Sequence, residues 1–116
     1  MTWTVTFHPA FAVEAQEFSD PVKAEITGGI RLLQALGPQL GRPTVDTLNG
    51  SAVKNMKELR FNADDGVWRI AFAFDPSRKA ILLCGGDKSG VSGARFYKSL
   101  IKTAEARYRE HLKGVK

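Results

Sequence analysis

Polar residues alternate with large or β-branched apolar ones through Thr2-Trp3-Thr4-Val5-Thr6-Phe7, the period of a half-buried strand, and His8-Pro9 ends it. Phe11, Ala15 and Phe18 then recur at helical spacing, and Ser19-Asp20-Pro21 is a helix start with proline in the first turn. A second helix follows, with Val22, Ile26, Ile30, Leu33 and Leu36 as its apolar face and Gly37-Pro38 as its stop. Gly28-Gly29 inside it should cost roughly 1 kcal/mol each against alanine, so a kink or a close approach is expected there.

From Gly37 to Val53 periodicity gives way to turn formers, Gly41, Pro43 and Asn49-Gly50-Ser51, which predicts a surface connection. Three strand-like runs come next, Lys54–Phe61, Val67–Phe74 and Lys79–Cys84, separated by the turn segments Asn62-Ala63-Asp64-Asp65-Gly66 and Asp75-Pro76-Ser77-Arg78. They predict an antiparallel meander. From about Gly93 to Leu112 helical spacing returns, with Phe96, Leu100, Ala104 and Tyr108 on one side. The order β-α-α-β-β-β-α describes an α+β fold, one sheet with helices packed on it. At 116 residues and 43% apolar content, residues 1–116 fit a single domain.

Alternation assigns chemistry to faces. In the second strand Leu59 and Phe61 share a core face, leaving Lys54, Met56, Glu58 and Arg60 opposite. In the third, Trp68, Ile70, Phe72 and Phe74 face the core and Arg69, Ala71 and Ala73 face away. Small alanines beside Arg69, with Arg60 in reach across the meander, suggest a shallow basic trough. The plainer reading is that Arg60 pairs with Glu58 or Asp64 and covers the sheet.

Charge changes the picture through its placement. The net charge is +5, yet residues 1–85 carry nine basic and nine acidic side chains. The excess lies in residues 86–116, where Lys88, Arg95, Lys98, Lys102, Arg107, Arg109, Lys113 and Lys116 outnumber Asp87, Glu105 and Glu110. At 100° per residue Arg95, Lys98, Lys102, Arg109 and Lys113 fall within an arc of about 60° on the final helix, clear of its apolar side. Such a stripe suits a polyanion, RNA or an acidic partner, or serves as a solvated face. Tyr97 falls on the apolar side, as does His111; both, with His8 at the strand end, read first as packing or capping groups.

The segment Gly85-Gly86-Asp87-Lys88-Ser89-Gly90 follows a strand and precedes a helix, but it lacks the G-x-x-x-x-G-K-[ST] order of a nucleotide-hydrolysing loop. As a loop, it would offer free N–H groups and one cation to a phosphodiester. Cys84, in the apolar run Ala80–Cys84, is a small buried hydrophobe, and one Cys with two separated His supplies no metal site. No cofactor is implied. No apolar stretch nears the ~20 residues of a membrane span, and Met1-Thr2-Trp3-Thr4 lacks a signal-peptide layout, so a cytoplasmic location is expected.

Several of these residues also carry a resemblance. Leu40-Gly41-Arg42-Pro43, Lys57-Glu58-Leu59-Arg60, Trp68-Arg69-Ile70, Phe74-Asp75-Pro76, the segment Gly85–Gly90 and Arg95-Phe96-Tyr97 resemble the RelE/ParE toxin superfamily, in its phage-derived Gp49-like, HigB-type branch. The resemblance covers nearly the whole chain. It implies a RelE-like fold, a small twisted, mainly antiparallel sheet flanked by helices. It implies a partner antitoxin encoded alongside, a helix-turn-helix protein in this branch, and metal-free cleavage of mRNA on the ribosome by 2′-hydroxyl attack. By position, Arg60 and Arg69 would hold the scissile phosphate with Lys54 or Lys57 nearby, and Lys88 would lie at the basic site after the last strand. Where relatives carry an aromatic residue and paired lysines, this chain has Asp87-Lys88-Ser89, which leaves Asp87 and Lys88 both open as the general base. Tyr97 and Lys98 match RNA-contacting helix positions, and Arg95 and Lys102 extend that surface. The superfamily fold also serves a gyrase inhibitor that cuts nothing, and a decayed module that only binds antitoxin is a further alternative.

Overall fold

The structure is a computed structural model that describes residues 2–114. Strand β1 (Thr4–Phe7) leads through α1 (Pro9–Ala15) to α2 (Asp20–Leu36) and a 3-10 turn (Gly37–Gln39). Strands β2 (Val45–Thr47), β3 (Met56–Ala63), β4 (Gly66–Phe74) and β5 (Lys79–Asp87) precede the long helix α3 (Gly93–Lys113). The sheet order is β1-β5-β4-β3-β2, antiparallel throughout except for the parallel β1–β5 pair. Among the described residues no helix is long and apolar enough to cross a membrane.

Helices cover both faces of the sheet, and residue size decides which helix lies where. The large side of β4, Ile70 and Phe72, packs with Leu59, Leu82, Phe11, Val22, Ile26 and Leu33 beneath α1 and α2. Its small side, Ala71 and Ala73, lets α3 approach closely, and Leu100, Ala104 and Tyr108 pack there with Met56, Ile81 and Leu83. The trough expected beside the two alanines is therefore filled by α3 along most of its length. Met56 and Glu58, expected on an open face, are buried by the same helix.

Other differences follow from non-local pairing. The connection expected between Gly37 and Val53 contains the 3-10 turn and β2, whose Val45 is buried along with nearby Leu48. Three residues are too few for alternation to register, and β2 exists because Val45 aligns with Leu59 on β3. Likewise β5 runs on through Gly85, Gly86 and Asp87, aligned with Ile70, Arg69 and Trp68, so the expected phosphate-cradling loop is mostly strand. At Gly29 the expected close approach is present: a Cβ there would stand 2.6 Å from Leu59, so glycine admits β3 against α2. Leu36, assigned to the buried face, is exposed.

The histidines cap and fasten. His8 Nδ1 accepts the Ala10 N–H at 3.0 Å at the start of α1, which leaves its Nε2–H to donate to Glu110 at 2.8 Å. Cys84 is buried and its thiol is pushed up to about 12 by burial, as suits an inert packing group.

Candidate active site on the sheet beside the start of the last helix

Arg60 and Arg69 stand directly opposite each other on β3 and β4, on the face that α3 covers. Helix α3 begins at Gly93, with Ser92 Oγ accepting the Arg95 N–H at 3.2 Å as its cap, and its first turns bring Tyr97 over this pair. Glu58, two residues before Arg60 on the same face, is the centre of the cluster. Its Oε2 accepts from Arg60 Nη1 at 2.9 Å and its Oε1 accepts from the Tyr97 hydroxyl at 2.8 Å. Arg69 Nε lies 3.7 Å from Glu58 Oε1 and donates to the Tyr97 oxygen at 3.2 Å, while its Nη1 donates to the Trp68 carbonyl at 2.8 Å. Lys88 Nζ sits over the Tyr97 ring, 5.6 Å from its centre.

Burial gives these contacts their strength. Glu58 is 4% exposed and Arg69 6%, so their charges are felt in a medium that screens them weakly. A lone buried carboxylate would be costly; two guanidiniums and a hydroxyl compensate it and leave the cluster net positive. Burial pushes the Tyr97 phenol above its ordinary value, and the facing carboxylate adds to this against the opposing pull of Arg69. Tyr97 thus keeps its proton at neutral pH. A cleft of about 260 Å³, lined by Pro43, Arg60, Phe61, Asn62 and Arg69, opens onto the two arginines.

Of the residues singled out from sequence, Arg60, Arg69, Tyr97 and Lys88 are brought together. Asp87 is not: its carboxylate accepts from the Val67 and Ser89 N–H groups at 3.0 and 2.8 Å and from the Ser89 hydroxyl, tying off the β4–β5 end. The Ser89 bonds hold its pKa below the usual carboxylate range. Lys54 is an exposed residue ahead of β3, and alternation turns Lys57 to the opposite face of β3 from Arg60. Arg95, Lys98 and Lys102 are exposed along α3, continued by Arg109 and Lys113. Glu58, offered by the sequence as an ion-pair partner for Arg60, is that partner here, and what the sequence did not show is its bond from Tyr97 and its approach to Arg69. Among the described residues no group of three His, Cys, Asp or Glu side chains could hold a metal.

A family model described as phage-derived protein Gp49-like matches residues 14–109, which include every member of this cluster. The chain belongs to that family. It is 54% identical over 84 residues, 72% of its own length and 71% of the relative's, to "Putative toxin HigB3" of Mycobacterium tuberculosis. It is 46% identical over 88 residues, 75% of its length and 43% of the relative's, to "Putative toxin HigB2" of the same organism. A free-state structure of the E. coli toxin RelE, an arginine-to-alanine double mutant, superposes with a TM-score of 0.62 at 11% identity, over 88% of this chain and 96% of that one. This Gp49-like protein is therefore HigB-type in sequence and RelE-like in fold.

Proposed function

We propose that this Gp49-like protein is the toxin of a toxin–antitoxin pair and cleaves mRNA on the ribosome. The observation that carries the reading is the convergence of Arg60, Arg69, Lys88 and Tyr97 around buried Glu58 beside an open cleft. In the proposed step the ribose 2′-oxygen bonds to the adjacent phosphorus, the P–O5′ bond breaks, and a 2′,3′-cyclic phosphate and a 5′-hydroxyl result. Arg60 and Arg69 offset the charge that builds on the phosphate. Tyr97, whose phenol holds its proton well into the alkaline range, supplies the proton to O5′. Glu58 positions all three. Of the two candidates for taking the 2′-hydroxyl proton, Asp87 is engaged by Val67 and Ser89, so we retain Lys88, which adjoins Tyr97.

The test is purified protein with a defined mRNA, with and without translating ribosomes, and mapping of the cut ends. Cuts that need the ribosome and leave 2′,3′-cyclic phosphates are expected. Intact mRNA together with loss of DNA supercoiling activity by gyrase would replace this reading with the gyrase-inhibitor one.

A further inference from the structure

Strand β5 has a half-open edge. Strand β1 pairs with it only as far as Phe7 opposite Leu82, and the last bond of that edge is the His8 N–H to the Leu82 carbonyl, 2.8 Å. The chain then turns into α1, while β5 continues to Asp87 along β4. Because the Lys88 N–H donates to the Val67 carbonyl at 2.8 Å, alternation turns the main-chain groups of Asp87 and Gly85 away from β4, towards the side β1 has vacated. Arg107, held by Glu14, closes the near end by donating to the Leu83 carbonyl at 2.8 Å.

This edge borders a cleft of about 650 Å³ between the α1–α2 corner and α3, lined among others by Phe18, Gly85, Arg95, Phe96 and Arg107. Glycines at 85 and 86 keep the strand free of side chains: a Cβ at Gly85 would strike Ile70, and one at Gly86 would meet the Phe96 ring at 3.4 Å. Both glycines are thus accounted for by Ile70 and Phe96, which pack against the strand. Arg107 is paired with Glu14, but Arg95 makes no ion pair among the described residues and stands exposed on the cleft's rim.

We propose that the Gly85–Asp87 edge is the docking site for an extended segment of the antitoxin, which adds to β5 as a strand and presents an acidic side chain to Arg95. Main-chain bonds give such a contact its affinity, and Arg95 selects for charge. Seated there, the segment lies along the first turns of α3, the helix that carries Tyr97. The inference rests on the toxin–antitoxin reading for the identity of the partner.

The experiment is amide hydrogen exchange on the protein alone and co-purified with the product of the adjacent gene. Slowed exchange across residues 83–88 in the complex, with Arg95→Glu weakening the complex at least tenfold at low salt, is the expected result. A stable complex in which 83–88 exchange as in the free protein, or one indifferent to Arg95→Glu, overturns the docking site and leaves the toxin–antitoxin reading standing. Failure of the neighbouring product to bind at all overturns both.

Discussion

At the residue scale, Arg69 shows how burial alters an expectation. By alternation alone it is a surface arginine whose truncation should cost within about 0.5 kcal/mol. In the structure it is enclosed and bonded to the Trp68 carbonyl and Tyr97, so Arg69→Ala leaves buried acceptors without a donor and should destabilise by about 1–3 kcal/mol. Its effect on mRNA cleavage should be larger, about a hundredfold, if its guanidinium meets the phosphate. Tyr97→Phe is the sharper variant. It keeps the ring against Phe96 and Lys88 and removes the hydroxyl that donates to Glu58 and accepts from Arg69, for about 1–3 kcal/mol of stability but a hundredfold or more in rate. Melting curves beside cleavage rates check both, and a Tyr97→Phe protein that cuts at the parental rate would remove this hydroxyl from the chemistry. Trp68→Ala is the scaffold control: it lies between Phe18 at 4.9 Å and Phe61 at 6.2 Å, half-buried, and should cost about 3 kcal/mol.

At the element scale, α3 is held to the sheet by polar fasteners at its far end as well as by its apolar side. Tyr108 donates to the Phe74 carbonyl at 3.1 Å, and His111 meets Asp75 at 2.8 Å. Asp75 also accepts the Ser77 and Lys79 N–H groups, both at 2.9 Å. Burial acts to raise its pKa but is outweighed by the bonds from His111, Lys79 and Ser77, so the carboxyl sits below its ordinary value. A carboxylate with a depressed folded pKa stabilises the fold fully above the unfolded value of about 3.9, and that contribution drains away as pH falls through the folded value. Denaturant melts at pH 7, 5, 4 and 3 should therefore show stability falling below about pH 4. Asp75→Asn should start lower at pH 7 and fall less steeply; an unchanged acid slope would mean the pair is incidental to α3 docking.

Across the whole molecule, the excess of positive charge forms a stripe from Arg95 to Lys113 with the arginine–tyrosine cluster at its beginning. Tyr97 lies on the other, sheet-facing side of the helix, so a polyanion on the stripe would run along the outer side of α3 above the cluster. If RNA takes this path, affinity for a single-stranded RNA should fall steeply between 50 and 200 mM salt. Lys98→Gln with Lys102→Gln should then flatten the log–log slope by about 0.7 for each phosphate that is no longer neutralised. Filter binding across a salt series measures it. A slope untouched by the double variant would assign the stripe to something other than RNA.

Local pattern alone determined a great deal: two helices between a strand and a meander, a basic final helix, and Arg60 and Arg69 on one face, because alternation and helical period are properties of neighbours in sequence. The resemblance of Lys57-Glu58-Leu59-Arg60 and the segments around it pointed to the family that residues 14–109 match. What depended on the third dimension was the covering of that face. Whether Ala71 and Ala73 line a trough or a helix seat turns on α3, more than twenty residues away in sequence, folding back over them. The same folding made Glu58 a buried hub and set Tyr97 between it and Arg69, while β1, ending at Phe7, leaves the last residues of β5 without a strand on that side. Sequence specifies which residues a face presents; only packing specifies what that face meets, and the charges here take their meaning from what they meet.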